Sequence, residues 1–198
     1  MLHYYQPGFH FEPLPRERNM ALYGYFQSKK YFMFHVQELK EQWFQFNLSS
    51  QAKILNIMDQ NKLLGKTIAI QVRRGDYLNL SEYHTVLDIN YYRAALEALN
   101  YSSEPYTIVC FSDDIEWCKN TLAQAIPIHY FSEGNTPIEN MFFTSRCYHK
   151  IMANSSFSWW SAMLSANDGK VVAPKNWFGP KHAEHDTKDL YCEGWLLV

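Results

Sequence analysis

From Thr67 onward, apolar and polar positions recur with a regularity that the first third of the chain lacks. Thr67–Val72 (TIAIQV) is β-branched and apolar, as in a strand buried on both faces, and Leu64-Gly65 before it stops the preceding helix. Tyr91–Asn100 puts Tyr92, Ala95, Leu96 and Leu99 on one helical face. Tyr106–Phe111 (YTIVCF) is a second strand, and Ser112-Asp113-Asp114 after it opens a helix running to Leu122. The series continues with a strand at Ala125–Phe131, a helix at Ile138–His149 and a strand at Lys150–Ala153. A helix at Ser158–Ala166 and a strand at Lys170–Ala173, stopped by Pro174, complete it. Five strands alternating with four helices predict right-handed βαβ crossovers and a five-stranded parallel, Rossmann-like sheet in an α/β fold.

The chain before this series is different. Prolines at 7, 13 and 15 mark residues 1–18 as an irregular arm. Ala21–Phe34 is dense in tyrosine and phenylalanine and must pack against something, while Val36–Phe46 and Ser50–Asn61 have helical periodicity. The expected division is therefore residues 1–62, irregular and helical, and residues 63–198, the sheet domain.

Composition narrows the function classes. With 198 residues and a net charge of −2, the chain has no whole-molecule attraction to nucleic acid, so any phosphate recognition is local. Cys110, Cys118, Cys147 and Cys192 form no C-x-x-C pair, which favours packed, reduced thiols over a disulfide frame or zinc site. No stretch approaches the roughly 20 apolar residues of a membrane span. The N-terminal MLHYYQPGFHF lacks the basic and apolar regions of a signal peptide. The expected location is the cytoplasm, with peripheral attachment to a membrane as the alternative.

In a parallel sheet every strand ends on the same edge, where ligands bind. Chemistry-bearing residues fall there repeatedly: Arg73-Arg74-Gly75-Asp76, Ser112-Asp113-Asp114 and Asn154-Ser155-Ser156-Phe157-Ser158. A guanidinium is a permanently charged fork of donors suited to phosphate oxygens. Adjacent side chains leave a strand on opposite faces, so one of Arg73 and Arg74 meets the ligand while the other anchors the loop on Asp76 or Asp114. Ser155, Ser156 and Ser158, with the amides of a helix start, either seat a phosphate or simply cap the helix. Asp113 and Asp114 are N-caps or acceptors for the donor edge of a guanine. With no D-x-D sequence and two arginines on the edge, a divalent ion is not needed to neutralise a diphosphate, so no metal is expected. Neither G-x-G-x-x-G nor a Walker A loop occurs, which weighs against nicotinamide enzymes and P-loop ATPases. His182 and His185 stand at metal-ligand spacing but have no evident third ligand in the sequence.

Taken together, the sequence resembles glycosyltransferase family 11, the α-1,2-fucosyltransferases. The resemblance is carried by Gly24–Phe32 (GYFQSKKYF), Val72–Tyr77 (VRRGDY), His84, Phe111–Cys118 (FSDDIEWC), Ile151–Trp160 (IMANSSFSWW) and Ala173–Phe178 (APKNWF). It implies a GT-B fold whose C-terminal, Rossmann-like half binds GDP-β-L-fucose. It also implies inverting, metal-independent transfer of fucose to the 2-hydroxyl of a terminal galactoside, with no cofactor beyond the donor substrate. Carried over, Arg73 holds the β-phosphate, Asp113 or Asp114 reads guanine, and Ser155, Ser156 and Ser158 line the diphosphate. Arg74 and Asn154 belong to the same donor site. The proton acceptor is one of Asp76, Glu82 and His84, with Arg73 and Asp76 as the leading catalytic pair.

Two departures stand out. This chain has Gln71 where the family usually has histidine, and it begins well inside the family's usual length, so residues 1–62 match only a remnant of the acceptor-side domain. The rival expectations are a non-catalytic GDP-sugar-binding module acting through a partner, and a fucosyltransferase of another linkage.

Overall fold

The computed structural model describes all residues, 1–198. Two short parallel strands open the chain, β1 (Leu2–Tyr5) and β2 (Met20–Tyr23), paired in register from Leu2–Met20 to Tyr5–Tyr23. The sequence reads this stretch as irregular because Leu2, Tyr5, Leu22 and Tyr23 stay exposed, and a two-stranded ribbon with open faces needs no alternation. Next come 3₁₀ turns at Lys29–Tyr31 and Met33–His35, then a single turn, α1 (Val36–Glu38), that widens into a π turn at Leu39–Trp43. Asn47 caps α2 (Leu48–Gln60), its side chain accepting from the Ser50 amide at 2.7 Å.

The main sheet follows as β3 (Thr67–Val72), β4 (Thr107–Ser112), β5 (Tyr130–Phe131), β6 (His149–Ile151), β7 (Val171–Ala173) and β8 (Leu196–Leu197). All its pairings are parallel, in the order β5-β4-β3-β6-β7-β8. The five expected strands are present, and β8 is a sixth, too short to show a pattern. The helices between them are α3 (Ile89–Ala98), α4 (Ile115–Asn120), α5 (Pro137–Arg146) and α6 (Ser156–Met163). Each begins on a side-chain cap: Asp88 for α3, Asp114 for α4, a Thr136–Glu139 capping box for α5 and Ser155 for α6.

Alternation along β3 and β4 fills two sides of the sheet. Ile68, Ile70, Val72, Ile108 and Cys110 pack against Tyr92, Ala95 and Leu96 of α3 and Cys118 of α4. Ala69, Val109 and Phe111 face the other way, onto Phe142, Phe143 and Cys147 and onto Ile54, Met58 and Leu63. Thus α2, although it precedes residue 63, shares the core beneath the sheet with α5. Burying one such aliphatic side chain is worth roughly 1.5–3 kcal/mol, so the sheet is held by both layers. A third cluster gathers Met152, Trp159, Ala162, Ala173, Trp177 and Leu190, and Phe9, Phe32 and Val36 of the N-terminal segment pack onto it.

Counted from β3 as first, the strand order is the 3-2-1-4-5-6 of doubly wound dinucleotide-binding sheets, whose crevice opens where the winding reverses. Here that point lies between β3 and β6. Residues following those two strands, Arg73–Tyr77 and Met152–Ser158, therefore border one crevice. No helix is long and apolar enough to cross a membrane.

Candidate active site

The crevice at the winding reversal holds a cavity of about 520 Å³. Arg73, Asp76, Asp113, Ser155, Ser156 and Ser158 all line it, so the three sequence stretches converge as the strand pattern predicts. Arg73 lies between two carboxylates, Nη2 at 2.7 Å from Asp76 Oδ1 and Nη1 at 2.8 Å from Asp113 Oδ2. The turn beneath depends on Gly75, where an added Cβ would come to 2.7 Å from Asp113 Oδ2. Opposite, Ser155 Oγ accepts from the Ser158 amide at 3.1 Å and donates to Ser158 Oγ at 3.0 Å. The Ser156 and Phe157 amides begin α6 with no partner inside the helix, leaving two donors at its positive end.

The second arginine does the anchoring. Arg74 Nε donates to Asp114 Oδ2 at 3.2 Å, and its guanidinium lies 4.0 Å from the Trp117 ring centroid. Asp114 also caps α4 by accepting from the Trp117 amide at 3.1 Å. Neither Arg74 nor Asp114 lines the cavity. Its charged wall thus comes from Arg73, Asp76 and Asp113, while Asp113 additionally accepts the Arg74 backbone N–H at 2.9 Å.

Asn154 stands apart from its neighbours. Its Nδ2 donates to Thr85 O at 2.9 Å and to Trp177 O at 2.8 Å, tying the loop after β3 to the loop after β7. It lines not the first cavity but a second one, of about 590 Å³. That space lies between the N-terminal arm and the segment after β7, with Phe9, Tyr25, Trp177 and Phe178 in its wall. Phe9 meets Phe178 edge-on at 4.7 Å, and the Phe11 amide donates to Asp189 at 3.0 Å. Gly24, at φ +154°, lets the arm fold tightly; a Cβ there would come to 2.5 Å from that of Gln6.

Tyr77, His84, Ser155 and Ser156 line both cavities. The His84 ring stacks on Tyr77 at 4.3 Å with 10° between planes, and Tyr77 Oη donates to Asn154 O at 2.9 Å. Burial holds the His84 imidazole below its usual 6.5, with Asp76 pulling the other way and His182 and Arg73 adding to the depression. Glu82, the remaining candidate proton acceptor, is bound to Lys181 at 2.7 Å and lines neither cavity.

Gln71, the departure from the family pattern, is buried one residue before the end of β3, its Nε2 3.3 Å from Ser161 Oγ and its Oε1 without a partner, and it lines the first cavity. Glu184 lies beside His182 and His185 at the rim of the second cavity, their ligand atoms all within 4.8 Å, so the pair does have a carboxylate neighbour. The two imidazoles stack at 4.6 Å.

The profile of glycosyl transferase family 11 matches residues 3–198. The chain belongs to that family. An alpha-1,2-colitosyltransferase of Escherichia coli is 32% identical over 88% of this chain and 61% of its own length. The O-antigen biosynthesis glycosyltransferase WbnK, also of Escherichia coli, is 34% identical over 66% of this chain and 44% of its own. Human galactoside alpha-(1,2)-fucosyltransferase 1 is 26% identical over 72% and 42%. The chain spans less than two thirds of the length of these relatives. Among solved structures, the beta Kdo 2,7 transferase KpsC of Thermosulfurimonas dismutans aligns over 75% of this chain and 48% of its own at 10% identity, with a TM-score of 0.36. A likeness that weak supports no argument.

Proposed function

We propose that this family 11 chain carries the donor half of a GT-B fucosyltransferase. It would transfer L-fucose from GDP-fucose to the 2-hydroxyl of a terminal galactoside, with inversion and without a metal. The observation that carries this reading is the pair of cavities with a shared wall: one set at the strand ends and lined by Arg73, Asp76 and Asp113, the other aromatic and lined by no Asp, Glu, Lys or Arg. Two substrates of those two characters would meet at Tyr77, His84, Ser155 and Ser156.

The diphosphate lies across the first cavity, between the Arg73 guanidinium and the Ser156 and Phe157 amides. Negative charge grows on it as the bond to the fucose anomeric carbon breaks, and donors already in position stabilise that growth more than they stabilise the bound donor. Asp113 faces the same cavity and is the remaining candidate for the guanine edge, its oxygens keeping lone pairs beyond the two contacts they make. The acceptor hydroxyl enters from the second cavity and attacks the anomeric carbon from the face opposite the diphosphate, through an oxocarbenium-like transition state. Its proton passes to a side chain at the shared wall. Asp76 lines only the first cavity and is engaged by Arg73, whereas His84 lines both and is held neutral at pH 7, so His84 is the better proton acceptor.

Calorimetry with GDP and GDP-fucose, followed by transfer to lactose with product linkage analysis, tests the proposal. Donor binding with a 2-linked product supports it; binding without turnover supports a non-catalytic GDP-sugar module; absence of GDP binding removes both. A second reading, in which colitose replaces fucose as the transferred sugar, is favoured by the 32% identity to the colitosyltransferase. Competition between the two nucleotide sugars for one preparation decides between them.

A further inference from the structure

One group of side chains outside the sheet edge has no part in the proposed transfer. His182 closes a 3₁₀ turn, Pro180–His182, and the His185 amide donates to His182 O at 3.1 Å. The two imidazoles therefore leave one side of a single turn and stack at 4.6 Å. Glu184 stands between them in sequence, and one ligand atom from each of the three lies within 4.8 Å of the others. No other group of three such side chains in the chain comes this close. Zinc bonded at about 2.0–2.1 Å to each ligand needs those atoms about 3.4 Å apart, so side-chain movements of about 1 Å complete the set. The rings make that movement by turning about their Cβ–Cγ bonds, which aims one nitrogen of each at a common point.

The surroundings leave this group free of competing charge. The flanking ammonium groups are taken elsewhere: Lys181 binds Glu82 at 2.7 Å, and Lys188 binds Asp186 at 2.8 Å. Glu184 has only His182 Nδ1 as an ionic neighbour, at 3.9 Å. Phe178 meets both imidazoles edge-on, 5.9 Å from His182 and 5.0 Å from His185, and Phe9 lies 6.0 Å from His185. An apolar collar of this kind limits solvent access to a metal. We propose that His182, Glu184 and His185 bind a divalent transition-metal ion of the zinc class at the rim of the second cavity. Two imidazoles and a carboxylate suit zinc, copper(II) or nickel, whereas magnesium and calcium take all-oxygen sets. Three protein ligands leave a fourth position to water. None of the three lines the first cavity, so the ion sits apart from any diphosphate bound there. It gives the rim a fixed positive charge that the cavity wall, with no Lys or Arg, otherwise lacks.

Calorimetric titration of the full chain with zinc chloride and, separately, magnesium chloride tests the site, with circular dichroism as the check on folding. One zinc ion per chain is expected, with no saturable magnesium binding, and the melting temperature should rise once zinc exceeds its Kd. Glu184→Gln alters a side chain that is 68% exposed and leaves the packing alone. His185→Phe keeps a ring against Phe9 and Phe178 but offers no ligand. Each should weaken zinc by about ten-fold or more, since even an outer-shell partner is worth that much, and should shrink the rise in melting temperature. Absence of saturable zinc binding overturns the proposal. So does an unchanged zinc affinity in either folded variant, which would put the ion elsewhere on the chain, or magnesium binding as tight as that of zinc.

Discussion

The first cavity, at the ends of β3, β4 and β6, has Arg73, Asp76 and Asp113 in its wall, whereas the second has aromatic rings and amides and no fixed charge. They also differ in how the chain builds them. The first comes from short turns that directly follow regular strands, so the sheet itself sets the spacing. The second is closed by residues far apart in sequence, such as Phe9 and Phe178, meeting through the docking of an irregular arm. A parallel sheet thus delivers charge to an edge by its own geometry, while the neutral space depends on tertiary packing.

Substitutions that act on one cavity and spare the other sharpen this contrast. The largest effect is expected from Arg73→Ala, which should lower kcat/KM for fucosyl transfer by about 100-fold or more, with an unchanged circular dichroism spectrum. Turnover close to wild type would show that the donor is held by something else. Next, Phe9→Ala should weaken lactose about ten-fold through loss of the aromatic contact and leave GDP binding as it was, both read by calorimetry. If GDP binding falls instead, the two spaces are not separable.

Gly75→Ala should be milder. Its new methyl must push Asp113 aside, and GDP affinity should drop about five-fold while lactose affinity holds. For pH, a free histidine at 6.5 would lose about four-fold of its neutral form by pH 6. Because burial keeps His84 lower, transfer at pH 6 should fall by less than that, while His84→Gln, which removes the proton acceptor, should lower transfer about 100-fold and leave the residual rate without an acid limb.

The smallest effect is on stability, away from both cavities. Fully buried Lys150 has its ammonium pulled down by burial to about 8, whereas the unfolded chain keeps it at 10.5. Between pH 8 and 9 the unfolded state binds the extra proton, so the melting temperature should rise slightly with pH. Above pH 9 the buried thiol of Cys147 and the half-buried thiol of Cys192, pushed up to about 11, should reverse the trend. In Lys150→Met the rise should vanish.

Which parts were legible in the sequence follows from the same contrast. β3 and β4 are central, and their runs of apolar residues gave their extents almost to the residue. β5 shrinks from Ala125–Phe131 to Tyr130–Phe131, because Ile126 is buried by packing into the core from a turn, not by pairing. Two adjacent arginines implied two jobs, and the structure gives Arg73 the cavity and Arg74 the anchor on Asp114. Adjacent positions in one motif do not tell Asn154 from Ser155: both line the second cavity, and only Ser155 also lines the first. Gln27 sits in an aromatic stretch with no periodicity, and only the folded arm makes it buried.

The position of Arg73 at rest bears on the end of a catalytic cycle as much as on its start. With Asp76 and Asp113 both within 2.8 Å, its guanidinium already has two carboxylate partners from its own chain. On the proposed chemistry, spent GDP competes for the guanidinium with two tethered anions that need no diffusion to arrive. Such built-in rivals favour departure of the by-product over its retention, so the crevice would be ready for another round.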